Sequence, residues 1–183
     1  VGGSSTFNMN GGSIANCTAT NGGNSVFVMS GTGGKFTMTD GTVDGSVTLH
    51  YTVAGSDVYM DGLGTATYPY QISTAAQLKL FRDIVNGTDV QTPNSGACAV
   101  LMNDIVLNDG TFDANGNYTT TGLIGTNPEE WTPIGKYTDD GFNNTPYTGT
   151  FDGGGHTIKG LYVNLPDVAV GLFGCLEDAV VRN

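Results

Sequence analysis

Two stretches of this chain repeat one another. "FNMNGGSI" at 7–14 and "FTMTDGTV" at 36–43 carry Phe, Met, Gly and a β-branched residue at matching positions, 29 residues apart. Phe7, Met9 and Ile14 correspond to Phe36, Met38 and Val43, and in each copy the apolar residues alternate with Asn or Thr before a glycine-bearing corner. Alternation at period two sends one set of side chains to one face of a strand. A unit this short cannot bury its apolar face alone, so copies must stack, which is the logic of a solenoid. Composition points the same way: the 183 residues include 29 Gly and only 13% charged residues, with abundant Thr, Asn and Ser. Such a mix favours strands joined by tight turns.

One segment departs from this pattern. In "PYQISTAAQLKLFRDIVNGTD", Thr74 followed by Gln77 forms a capping box, Leu78, Phe81, Ile84 and Val85 recur at helical spacing, and Gly87 can end the run. The spacing predicts one helix near 75–86, its apolar stripe covering the open end or flank of a β-stack. Beyond it, "ACAVLMNDIVLN", a polar insertion at 109–130, "WTPIG", "YTGTFDGGGHTIKGLYV" and "VGLFGCLEDAVVRN" read as short strands with corners.

Charge excludes some partners. Six Lys and Arg against 17 Asp and Glu give a formal net charge of −11, which repels a phosphate backbone or an anionic membrane surface. Nucleic acid is therefore not expected as a partner, and without a run of 18 apolar residues no membrane insertion is expected. Cys17, Cys98 and Cys175 are widely spaced and form no CxxC pair, so they are expected as buried small hydrophobes. The chain begins at Val1 and stops at "AVVRN", and it is expected to be a processed chain or a piece of a longer protein. Its terminal strands would then be covered by neighbouring domains or by copies of itself.

The ordered motifs "YPYQISTAAQLKLF", "MNDIVLN", "WTPIG", "YTGTFDGGGHTIKGLYV" and "VGLFG" resemble those of GLUG-motif, adhesin-like bacterial surface proteins. They are similar to the non-catalytic regions of IgA-cleaving metallopeptidases, and residues 4–46 resemble adhesin-type β-helix repeats. The likeness implies an all-β fold, a right-handed single-stranded parallel β-helix with one short α-helix near 75–86. It would form one segment over 1–183, with adhesin-type repeat coils at 1–60 and GLUG-type coils at 61–183. Phe7, Met9, Ile14, Phe36, Met38, Val43, Phe151, Ile158, Leu161, Leu172 and Phe173 would point into the stack. The implied function is a non-catalytic extracellular or cell-surface adhesin or stalk module, binding a host or environmental glycan or protein without a cofactor. The insertion at 109–130 is longer than the family's usual connection, so the resemblance gives it no role.

A polysaccharide-active enzyme, a pectinase-like hydrolase or lyase, is the alternative. Its acid–base group would draw on Asp139, Asp140, Asp152 and His156, since glycoside cleavage uses paired carboxylates. Against this, Asp139 and Asp140 are adjacent and would point to opposite faces of a strand, and the glycines of "DGGGHT" suit a structural corner. "DANGN" spaces Asp113, Asn115 and Asn117 like the start of a calcium loop, but Tyr118 stands where a glycine is expected and no Glu closes the pattern. Tyr68, Tyr70, Trp131, Tyr137, Phe142 and Tyr147 are candidates for a sugar-stacking flank, with Tyr137, Phe142 and Tyr147 as the ligand-binding candidates. Trp131, beside Pro133 and Ile134, fits a core or corner position better.

Overall fold

The computed structural model of the chain describes residues 6–15, 26–29, 35–43, 47–53, 56–88, 94–115, 117–119, 127–137, 144–165 and 169–183. The first strands are β1 (Thr6–Ile14), β2 (Val26–Met29), β3 (Lys35–Val43), β4 (Val47–Val53), β5 (Ser56–Asp61) and β6 (Tyr70–Ile72). Then come α1 (Ala75–Asn86), β7 (Ala99–Leu101), β8 (Ile105–Val106), β9 (Thr111–Phe112) and β10 (Tyr118–Thr119). The last three are β11 (Thr150–Asp152), β12 (Ile158–Lys159) and β13 (Val180–Arg182).

The two repeat copies pair with each other. β1 and β3 run parallel with Phe7 opposite Phe36, Met9 opposite Met38 and Ile14 opposite Val43, so the 29-residue offset in the sequence is also the pairing register except at a local irregularity where Asn10 faces Asp40. The principal sheet has seven strands in the order β13-β11-β7-β6-β5-β4-β2. From β6 through β7 and β11 to β13 the pairing is parallel. β4 and β5 are antiparallel, as are β5 and β6, and β2 joins β4 in parallel. β12 pairs with β8 in parallel, and β9 with β10 as an antiparallel hairpin.

This mixed sheet with a helix between two of its parallel strands overturns the expectation of an all-β, right-handed single-stranded parallel β-helix. The physical reason is the length of the link between β4 and β5. Val53 pairs with Ser56, so β4 and β5 are joined by two residues. A link that short can close only an antiparallel hairpin, because parallel neighbours need a crossover of a dozen residues or more. Between β6 and β7 the crossover is present, and α1 fills it.

Local signals set the bounds of α1. The Thr74 side chain accepts from the Gln77 backbone N–H at 3.2 Å, and Gln77 Oε1 accepts in return from the backbone of Ser73 at 2.7 Å and Thr74 at 3.1 Å. Gly87, in the left-handed conformation, donates to the Asp83 carbonyl and stops the helix. The helix lays Leu78, Leu80, Phe81, Ile84 and Val85 onto the sheet's face. Phe81 sits at the centre, its ring 6.4 Å from Tyr70, 5.9 Å from Tyr147 and 5.8 Å from Phe151. At the end of the helix, Asn86 grips the "WTPIG" segment by donating to the Pro133 carbonyl at 2.8 Å and accepting from the Gly135 N–H at 2.9 Å. Trp131 is buried there, its indole N–H donating to the Leu172 carbonyl at 3.2 Å beneath the Arg82 guanidinium.

Of the expected inward-facing residues, Met9, Val43 and Phe151 are buried, while Ile14, Met38, Ile158, Leu172 and Phe173 pack partly against the core. Phe7 and Leu161 are exposed instead. Phe7 lies one residue inside the start of β1, short of the cover that encloses Met9. The side chain of Phe36 lies outside the described residues. Cys98 and Cys175 are half-buried free thiols rather than enclosed ones, and Cys17 is outside the description.

Candidate functional site

The "DGGGHT" segment turns the chain from β11 into β12. Gly154 and Gly155 take φ of 59° and 78°, the left-handed region that a Cβ disfavours, and the His156 N–H closes the turn on the Gly153 carbonyl at 2.8 Å. Asp152, at the end of β11, accepts at Oδ1 from Asn183 Nδ2 and from the Gly154 N–H, both at 2.9 Å, and at Oδ2 from Arg182 Nε at 3.0 Å. The Asn183 bond, then the Gly154 bond and the Arg182 charge, hold its carboxyl below the usual carboxylate range.

A second carboxylate faces the same turn. Asp104, between β7 and β8, accepts from the Thr157 N–H at 2.9 Å and stands 3.5 Å from His156 Nδ1. The Thr157 backbone bond leads in lowering its pKa as well. Beneath the turn lies a cavity of about 440 Å³, walled by Leu101, Phe151, Ile158, Leu172, Phe173 and Val181. His156, Arg182 and Asn183 stand at its polar rim. The turn is thus a corner braced by two ionised carboxylates above an apolar recess. Asp152 and His156 stand in the same turn but pair separately, Asp152 with Arg182 and Asn183 and His156 with Asp104, and these partners come from segments about 30 to 50 residues away that no local pattern marks. Asp139, Asp140 and Phe142 lie outside the described residues.

The calcium-like stretch closes a hairpin. Asp113 Oδ1 accepts from the N–H groups of Asn115 at 2.8 Å and Asn117 at 2.9 Å, and Oδ2 from Asn117 Nδ2 at 3.0 Å. The carboxylate is thus occupied with bonds across its own turn. Among the described residues, no three His, Cys, Asp or Glu side chains converge as metal ligands would.

The aromatic flank proposed from sequence is mostly interior. Tyr70, Trp131 and Tyr147 are buried, and the Tyr147 hydroxyl donates to the Ala97 carbonyl at 2.9 Å, its pKa pushed up by burial. Tyr137 is exposed. A different set of rings meets at the surface. Phe112 of β9, half of it open to solvent, lies 5.3 Å from Tyr118 of β10 and 5.5 Å from Tyr162, which follows β12. None of the three was singled out by sequence, because no periodic pattern links 112 and 118 to 162. Comparison with protein-family models, curated proteins and solved structures returns no match for this chain.

Proposed function

We propose that the chain is a non-catalytic binding module of an extracellular or cell-surface protein, presenting its surface to a glycan or protein partner. The resemblance of its motifs to those of GLUG-motif surface proteins supports this reading, and so does a net charge that disfavours nucleic acid and anionic membranes. The observation that carries it is the hydrogen bonding of the corner carboxylates, Asp152 held by Gly154, Arg182 and Asn183 and Asp104 by Thr157. Glycoside cleavage needs one carboxyl held protonated as a general acid, with its pKa raised. Asp152 and Asp104 are both lowered by hydrogen bonds that brace the turn. They act as acceptors that fix the corner, with no proton to give near neutral pH.

The test is incubation with a panel of acidic and neutral polysaccharides, followed by assays for new reducing ends and unsaturated products. No turnover is expected. Products that appear with the wild type and vanish with Asp152→Asn would overturn the reading.

A further inference from the structure

We propose that Phe112 of β9, Tyr118 of β10 and Tyr162 form a saccharide-binding platform that takes the apolar face of a neutral sugar. This rests on the binding-module reading and adds to it a site and a ligand class. The three rings are gathered from two separate segments, with Phe112 half open to solvent and in contact with the half-buried Tyr118 and Tyr162. An exposed aromatic cluster of this kind offers large contact area at low entropic cost.

The platform is preformed. Gly110 lets the Tyr118 ring lie against its backbone, for a Cβ at Gly110 would stand 2.5 Å from Tyr118 Cζ, and the Gly110 N–H fixes the Tyr118 hydroxyl at 2.9 Å. The Asp113 carboxylate holds the hairpin tip beside it, and Tyr162 is anchored by the Trp131 N–H donating to its carbonyl at 2.7 Å.

Charge selects the occupant. Exposed Asp113, in the turn between Phe112 and Tyr118, carries a negative charge with its oxygens bonded to Asn115 and Asn117, and the chain as a whole carries −11. That charge repels uronates and sulfated sugars and leaves an uncharged sugar unopposed. The ligand class is therefore a neutral saccharide.

Affinity electrophoresis of the full chain through gels containing xyloglucan, galactomannan or polygalacturonate tests this. Retardation is expected with at least one neutral polymer and not with polygalacturonate. Phe112→Ala should weaken it about tenfold or more, Phe112→Leu similarly, and Phe112→Tyr should restore it. Unchanged thermal melting in each variant shows that the hairpin still folds. The proposal falls if neither neutral polymer retards the wild type, if only polygalacturonate does, or if Phe112→Ala is retarded as strongly as wild type. It also falls if sedimentation shows that the rings instead join two copies of the chain, with self-association lost in Phe112→Ala and no retardation by either neutral polymer. Retardation insensitive to Phe112 would leave the module reading intact, whereas cleavage of any polymer would overturn the module reading itself.

Discussion

Replacing Phe81 by Ala should be among the most damaging single truncations in this chain. The side chain is fully enclosed, and three other rings surround it at 5.8 to 6.4 Å. Truncating a buried Phe to Ala costs about 3–5 kcal/mol, and the figure rises when the neighbours cannot collapse into the space left behind. Here they are fixed from outside. Tyr70 and Phe151 sit on hydrogen-bonded strands of one sheet, and Tyr147 is tethered by its hydroxyl to the Ala97 carbonyl. The cost should therefore fall in the upper half of that range. For a domain of this size each kcal/mol shifts the melting temperature by about 2–4 °C, so a drop of roughly 8–20 °C is expected in calorimetry or near-ultraviolet circular dichroism. Phe112→Ala is the control: half of that ring is already in water, and its loss should cost less than about 1 kcal/mol. Equal losses in the two variants, or a drop below about 4 °C for Phe81→Ala, would refute the placement of Phe81 at the centre of the core.

Thr74→Ala should cost about 1 kcal/mol in urea denaturation, because it removes the side-chain half of the capping box, and Thr74→Ser should recover most of it. Asn86→Ala breaks two bonds between the helix end and "WTPIG", and a loss of roughly 1–3 kcal/mol is expected in the same assay. Asp104 and Asp152 have folded pKa values below their reference of 3.8, so their contribution is complete above that value and is lost as pH falls through the lower, folded values. Melting temperature followed from pH 6 to pH 2 should therefore fall less steeply below about pH 4 in the Asp104→Asn, Asp152→Asn double variant than in wild type. Parallel curves would remove the two carboxylates from the acid transition.

What sequence revealed was what short-range chemistry controls. Thr74, Gln77 and Gly87 mark the ends of α1 because caps are satisfied within one turn of backbone. The repeat gave the β1–β3 register because equivalent side chains pair best with their own kind across a parallel ladder. The hairpin of β4 and β5 was also written in the chain, as two alternating runs around Ala54 and Gly55, but these strands were absorbed into an expectation of uniform coils. The polar partners of Asp152 and His156 were out of reach for a different reason. Asp104, Arg182 and Asn183 are brought to the corner only by the register of β7, β11 and β13, and register across long separations leaves no mark on composition or spacing. The same holds for Phe112, Tyr118 and Tyr162, whose rings meet only once β9 and β10 lie beside the segment after β12.

The order of the principal sheet has a consequence for how the chain is made. Read from one edge, its strands are β2, β4, β5, β6, β7, β11 and β13, the order in which a ribosome would release them. Each new strand finds its partner already synthesised and pairs with the growing edge, so none has to wait for a segment still to come. The largest gap is between β7 and β11, where Ala99 meets Phe151, and α1 is complete before either appears. Chain elongation at about 5–20 residues per second is slow against hairpin and helix formation, which take microseconds or less. The sheet can therefore grow in one direction during translation, carrying a single unpaired leading edge that the next strand to emerge covers.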